Sequence, residues 1–134
     1  MSQAEQNVRI VKAIHAAFNR EDAAALRSLL HPDFEWDYSR SRGPAAGVYR
    51  GRETVLDAMA MMAESWETMR WDAEWFRARG QDEVLVRNCL TSRGAASGIE
   101  VEACAFQLWF LHDGAATVMR LYQELADVPA YPAL

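Results

Sequence analysis

The octapeptide HPDFEWDY, residues 31–38, alternates aromatic and acidic side chains and decides how the first strand of the fold is oriented. Successive side chains of a β-strand point to opposite faces, so this segment predicts one aromatic face and one acidic face. If the aromatic face points into the protein, it forms a core or a pocket wall. If the acidic face does so, a carboxylate is available there for acid–base chemistry.

Length and composition favour one domain over residues 1–134, with enough hydrophobic residues (51%) for a sizeable core. The formal net charge of −5 argues against a general nucleic-acid binder, which shows a basic surface. No apolar run approaches the roughly 20 residues of a membrane span, and the N-terminus lacks a signal-peptide pattern. We therefore expect a cytoplasmic protein without a nucleic-acid or membrane partner, and a loose tail over residues 127–134.

Three predicted helices precede most of the predicted strands. Residues 2–5 form a Ser-x-x-Glu capping box that predicts a helix start at Ser2, and Asp22 is placed to cap a second short helix. Residues 39–50 read as a loop, and residues 52–69 as a third helix. Strands are predicted at 31–38, 71–75, 83–92, 99–111 and 115–126, the last four joined by tight turns that imply antiparallel neighbours.

Four segments in this order resemble the SnoaL-like branch of the nuclear transport factor two-like superfamily, which includes polyketide cyclases and ketosteroid isomerase relatives. They are FNREDAAALRSLLHPDFEW (18–36), YRGRETV (49–55), FLHDG (110–114) and VMRLYQE (118–124). The resemblance implies an α+β fold in which a curved antiparallel sheet wraps three helices into a cone, with an apolar pocket at the open end. Many members are dimers, and their chemistry varies, so fold alone does not decide function.

The acidic positions of ketosteroid isomerases are replaced in this chain. With residues 21–22 as the anchor of the alignment, the isomerase base falls on Tyr38, its second acid on Phe106 and its tyrosine on Ile14. The aromatic face of the first strand then points inward and Asp37 points outward, so isomerase chemistry of that kind is not expected. A slip of one residue would turn every side chain over and restore Asp37 as a base.

The water-activating site of limonene epoxide hydrolases, which share the fold, is also incomplete. Arg87 matches their arginine, while Cys89 and Leu121 stand where the two aspartates should be. Arg87 is either a clamp for a carboxylate or enolate oxygen or, as we favour, a strand arginine that reaches water. If Gly94 pairs with Ile99, Cys89 faces a second cysteine across the hairpin.

The two cysteines are expected to be reduced thiols that pack as small hydrophobes, and their spacing predicts no metal site. Two residues are weak catalytic candidates: His15, beside the pocket on the first helix, and Glu102, inward by alternation with Phe106. Both have simpler interpretations at the boundary or rim of the fold. The same alternation places Gln107 and Trp109 on the outer sheet face, where a large aromatic favours a homodimer.

We therefore expect a SnoaL-like protein that binds a hydrophobic small molecule without a cofactor or metal. As an enzyme it would be an isomerase, cyclase or dehydratase acting by proton transfer on a ketone-like substrate. The alternative is a non-catalytic ligand-binding or dimerisation module. The expected pocket residues are Phe18, Trp36, Tyr38, Met59, Arg87, Cys89, Cys104, Phe106, Leu121 and Gln123.

Overall fold

The structure is a computed structural model that describes residues 1–43 and 45–131. The helices are α1 (Gln3–Asn19), α2 (Ala23–Leu29) and α3 (Arg52–Glu64), with a short 3₁₀ turn at Leu125–Asp127. The strands are β1 (Leu30–Asp37), β2 (Val48–Arg50), β3 (Trp66–Arg79), β4 (Glu83–Gly94), β5 (Glu100–His112) and β6 (Ala115–Tyr122).

Side-chain caps begin the first two helices as predicted. Ser2 Oγ accepts a hydrogen bond from the Glu5 amide at 3.1 Å, and Asp22 Oδ1 accepts one from the Ala25 amide at 3.0 Å. The third helix is shorter than predicted, because the chain enters β3 at Trp66 and pairs with β4. Pairing with a neighbouring strand overrides helix propensity, and aromatic residues fit a pleated surface well.

The sheet has the strand order β2-β1-β6-β5-β4-β3 and is mixed, which corrects the expected antiparallel sheet. Strand β1 pairs with β6 in parallel, with Trp36 opposite Met119, and the long stretch of chain between the two strands permits this pairing. Strand β2 was missed within the predicted loop; Tyr49 pairs there with Trp36. The Asp113–Gly114 turn has positive φ at both residues, as a tight hairpin requires.

Curvature brings the two sides of the sheet together. Helix α3 packs against both β1 and β3, which lie four places apart in the strand order. In a flat sheet four strand spacings amount to roughly 19 Å. The rings of Trp36 on β1 and Trp71 on β3 nevertheless lie 6.2 Å apart, so the sheet wraps around its helix-covered face. We call this concave side the inner face and the opposite side the outer face.

The opening octapeptide points its aromatic side chains inward, as the alignment predicted. Phe34 and Trp36 are buried in the main core, and Tyr38 packs against it. Asp37 lies on the opposite side and accepts hydrogen bonds from the Ser39 amide and hydroxyl and from Arg40. Burial acts to raise the pKa of Asp37, but the hydrogen bonds from Ser39 and Arg40 outweigh it and leave the pKa lowered. The slipped register that would make Asp37 an inner-face base is wrong.

The side chains of strand β5 point to the faces opposite to those predicted. Gln107 and Trp109 are about 99% buried on the inner face, and Phe106 and Leu108 lie on the outer face in a second apolar cluster. Apart from Gln107, the strand is apolar on both sides from residue 103 to 111, so alternation alone does not determine which side points inward. Contacts with α1 decide it, because His15 needs a polar partner there.

The chain after β6 returns along the outer face. Val128 packs against the outer cluster, and the Arg79 guanidinium donates to the Pro129 carbonyl at 2.6 Å. The Tyr131 hydroxyl donates to Asp82 at 3.0 Å, while residues 132–134 lie outside the described part of the chain. Within the described residues, none of the helices is both long enough and apolar enough to cross a bilayer.

Candidate ligand site on the inner face

The inner face carries three buried polar side chains among its apolar neighbours. Helix α1 turns Val11 and Ile14 toward the sheet, and His15 beside them reaches strand β5. Asn88 on β4 and Gln107 on β5 project from the sheet toward it. Their strand partners, Ala105 and Val86, place them as diagonal neighbours on one face.

Gln107 joins the helix to the sheet through one oxygen atom. His15 Nε2 lies 2.7 Å from Gln107 Oε1, and the Trp109 indole N–H donates to the same oxygen at 3.0 Å. Aromatic rings surround the imidazole, with centroid distances of 4.8 Å to Trp71 and 5.1 Å to Phe76. The result is a polar chain enclosed by aromatic side chains.

His15 is neutral at pH 7. Burial lowers the pKa of the His15 imidazole to about 4, and the hydrogen bond with Gln107 only partly opposes this effect. Burial also raises the pKa of the Tyr38 hydroxyl, so that group keeps its proton. His15 and Tyr38 therefore add no charge to this site at pH 7.

Four buried polar atoms of the inner face have no hydrogen-bond partner among the described residues. They are His15 Nδ1, Trp36 Nε1, Asn88 Oδ1 and Gln107 Nε2. A buried donor or acceptor without a partner costs about 1–3 kcal/mol, so such atoms normally meet a water or a bound molecule. Two acceptors and two donors in one region suit a ligand with both kinds of group.

Aromatic and methionine side chains form the walls around these atoms. Phe18 stacks on Trp71 with a centroid distance of 3.9 Å, and Trp36 meets Tyr38 edge to face at 4.8 Å. Met59 on α3 is half-buried and packs against this core. Leu121 is buried, and its pairing with Gln107 places it on the same face.

The structure divides the predicted pocket residues between the two faces. Five of them meet on the inner face: Phe18, Trp36, Tyr38, Met59 and Leu121. The expected inward placement of the others is wrong, because the side chains of β4 and β5 point to the faces opposite to those predicted, and because Gln123 lies beyond the end of β6 beside the outer cleft. Those that lie on the outer side are Arg87, Cys89, Cys104, Phe106 and Gln123.

An open cleft lies on the outer side, with a volume of about 390 Å³. Arg87 is half-buried there, 4.8 Å from the Phe106 ring centroid, and its Nε lies 3.7 Å from Glu74 Oε2. It is therefore not a clamp within the cone. The lining residues are Arg42, Arg87, Cys104, Phe106, Gln123, Glu124 and Leu125.

Cys89 and Cys104 form a disulfide bond, which corrects the expectation of reduced thiols. The pairing of Gly94 with Ile99 is confirmed by a 3.0 Å backbone hydrogen bond, and it sets the cysteines directly opposite with Cα atoms 4.0 Å apart. Glu102 follows the same alternation to the outer side, where it is exposed. Its predicted inward orientation is wrong.

Sequence reasoning missed Asn88 and Gln107 as inner-face residues. A signal was present for Gln107, which is the one amide in the apolar run from Ala103 to Leu111, whereas Asn88 stands beside Arg87 in a strand with several polar residues. Amide side chains are seldom buried, so an amide inside an apolar strand is expected to have a hydrogen-bond partner in the core. For Gln107 the partner is His15, which lies 92 positions earlier in the chain.

The chain is similar to known proteins both in sequence pattern and in fold. The family model described as "SnoaL-like domain" matches residues 11–119. None of the curated proteins matches the chain. Among solved structures, Bal32a from a soil-derived mobile gene cassette is 20% identical, with a TM-score of 0.82 over 90% of this chain and 91% of that one.

Two further solved structures share the fold. TerC, co-crystallised with polyporic acid, is 23% identical, with a TM-score of 0.76 over 90% of this chain and 93% of TerC. A nuclear transport factor two-like protein from Burkholderia xenovorans LB400 is 25% identical, with a TM-score of 0.73 over 92% of each chain.

Proposed function

Because this chain belongs to the SnoaL-like domain family, we propose that it binds a hydrophobic small molecule on the inner face of its sheet, the side covered by α1 and α3. The observation that carries the proposal is the group of four buried polar atoms without partners, on His15, Trp36, Asn88 and Gln107. Each of these atoms carries the cost of a buried donor or acceptor without a partner, and packing alone does not require that cost. A ligand with matching polar groups removes the penalty.

The entrance lies between α3 and the mouth of the cone. Met59 and Met62 on α3 are half-buried and pack against the inner-face core. Methionine has three rotatable bonds and adapts to ligands of different shape. Neither of the two cavities described is lined by His15, Trp36, Asn88 or Gln107, and we propose that a ligand reaches these residues by displacing the two methionines.

Proton-transfer chemistry on a ketone-like substrate fits this environment. An apolar wall with a few placed polar groups is the usual layout of a small-molecule site. His15 Nδ1 supplies a lone pair, and the Gln107 amide supplies a donor for a carbonyl oxygen. The co-crystallisation of TerC with polyporic acid supports small-molecule binding by this fold. An isomerase, cyclase or dehydratase reaction is the enzymatic form of the proposal.

A thermal-shift screen with flat hydrophobic ketones tests the binding site. A ligand at 100 times its dissociation constant should raise the free energy of unfolding by about 2.7 kcal/mol. The rise should shrink in Asn88→Leu and in Tyr38→Phe. It should persist in the matched control Thr91→Val, since Thr91 lies on the outer face of the same strand as Asn88. An equal loss of response in all three variants would contradict the inner-face site.

A second candidate function is a dimerisation module, and the observation that favours it is Phe110, a half-exposed aromatic side chain at the edge of the outer apolar cluster. The residues that form the cluster, Leu85, Phe106, Leu108 and Tyr122, are themselves buried within the chain. We propose a homodimer through this face rather than through Gln107 and Trp109, which are buried inside. Light scattering should then show a dimer that Phe110→Asp dissociates, while Ile99→Asp in a distant turn leaves it intact. A monomeric wild type would contradict this candidate.

A further inference from the structure

We infer that His15 Nδ1 is a fixed hydrogen-bond acceptor, and that the ligand it receives is a neutral molecule with a hydroxyl group, such as a phenol or an enol. This inference rests on the proposed function, since it names the ligand class of the same inner-face site. It depends on two hydrogen bonds that link the side chains of Trp109, Gln107 and His15. The donor and the acceptor of each bond follow from the atoms that take part in it.

The direction of the first hydrogen bond is set by Trp109, because an indole N–H can only donate. Its partner at 3.0 Å is Gln107 Oε1, so the oxygen of that amide, and not its nitrogen, faces the indole. The same oxygen lies 2.7 Å from His15 Nε2 and can only accept. His15 Nε2 must therefore carry the hydrogen, and in the neutral ring Nδ1 is left with a lone pair.

Burial maintains this arrangement at neutral pH. His15 is 5% exposed, and its pKa is lowered to about 4, so the ring does not take up a second proton. The groups packed around it from β3 and β5 are uncharged: Trp71, Phe76 and Trp109. A lone pair that is fixed, buried and without a partner is a site for a donor.

The neighbouring unpartnered atoms define what else the ligand must offer. Asn88 Oδ1 is a second acceptor, and it repels an anion as the Nδ1 lone pair does. The Gln107 amide N–H and the Trp36 indole N–H are donors that suit a carbonyl or hydroxyl oxygen. A charged ligand would lose its hydration without gaining a counter-ion, which is costly. A neutral hydroxyl donates to the acceptors and accepts from the donors.

Nitrogen NMR on the ¹⁵N-labelled protein tests the tautomer without any ligand. The Nδ1 resonance of His15, identified by its loss in His15→Phe, should show an unprotonated nitrogen, and Nε2 a protonated one. In Trp109→Phe the amide of Gln107 is free to turn over, and a mixture of tautomers should appear. A wild-type His15 protonated at Nδ1 would overturn the inference.

Three naphthalene probes test the ligand class by fluorescence titration of the tryptophans at pH 7. We expect 2-naphthol to bind at least tenfold more tightly than 2-methoxynaphthalene, which has no hydroxyl donor, and 2-naphthoate to bind most weakly. In His15→Phe the first two should bind alike. Equal affinity of naphthol and methoxynaphthalene for the wild type would overturn the inference and leave the proposed site standing. Failure of all three to bind would contradict the proposed site, while the NMR result decides the tautomer independently.

Discussion

The imidazole of His15 and the amide of Gln107, 92 residues apart in sequence, meet at 2.7 Å in the interior of the protein. This contact joins α1 to the fifth strand and orients both side chains. It also leaves one atom of each, Nδ1 and Nε2, without a partner among the described residues. The bonded atoms, His15 Nε2 and Gln107 Oε1, hold the helix to the sheet. The two atoms without a partner are available to a ligand.

Replacing Gln107 with leucine should destabilise the protein. The substitution removes the acceptor shared by His15 and Trp109, and a buried donor left unpaired costs about 1–3 kcal/mol. We expect the free energy of unfolding, measured with urea, to fall by about 2–4 kcal/mol. Gln123→Leu, outside the inner face, should change it by less than about 0.5 kcal/mol. Equal effects of the two substitutions would contradict the structural role of Gln107.

Replacing Asn88 with leucine should have the opposite outcome for stability. Asn88 Oδ1 is buried without a partner, so the substitution removes a penalty instead of a hydrogen bond. We expect urea unfolding to show unchanged or increased stability together with weaker ligand binding. A loss of about 2 kcal/mol or more would mean that Asn88 serves the fold and not a ligand.

Acid should destabilise the protein through His15. Its pKa is about 4 when folded and about 6.5 when exposed, so between these values the unfolded state binds more protons. Stability present above pH 6.5 is therefore lost as the pH falls toward 4, by on the order of 3 kcal/mol. Of the charged groups nearby, Lys12 Nζ lies 5.5 Å from the centroid of the Phe76 ring, which also packs against His15.

The variant His15→Phe separates this effect from that of the carboxylates. The carboxyl groups of Asp22, Asp37 and Glu53 have lowered pKa values, so the protein also loses their stabilising contribution in acid. These groups are the same in the wild type and in His15→Phe. Urea unfolding at pH 7 and pH 4.5 should show a smaller loss in His15→Phe than in the wild type. Equal losses would show that His15 is not buried in its neutral form.

Reduction should lower the thermal stability through the Cys89–Cys104 bond. The two cysteines are 15 positions apart, and closing a loop of that length stabilises a protein by about 3 kcal/mol in the chain-entropy model. We expect dithiothreitol to lower the Tm of the wild type and to leave that of the Cys89→Ala/Cys104→Ala variant unchanged. Thiol titration of the unreduced protein that finds two free cysteines would contradict the bond.

The sequence was most informative where one face of an element is polar. In residues 33–38 the acidic and aromatic side chains alternate, and the structure confirms that the aromatic ones point inward. Ser2 and Asp22 begin their helices as predicted, since a cap depends only on local chemistry. The family resemblance and the α+β fold are confirmed, although the sheet is mixed.

Strand β5 shows why part of the site could not be predicted. Apart from Gln107, both of its faces are apolar between Ala103 and Leu111, so hydrophobic alternation does not determine which face points inward. Its phase is set by packing against α1, through the contact of Gln107 with His15. Because β4 follows β5 in register, one error of phase moved Arg87 and Cys89 to the wrong face as well.

A side-chain NMR map of ligand binding tests the central claim most directly. The indole N–H of Trp36 and the amide groups of Asn88 and Gln107 can be observed in ¹⁵N-labelled protein during titration with 2-naphthol. If the ligand binds on the inner face, these three signals shift together, and the amide of Gln123 in the outer cleft does not. If the signals of Gln123 and the Arg87 guanidinium shift while the inner-face signals stay in place, the ligand site lies in the outer cleft and the account is wrong.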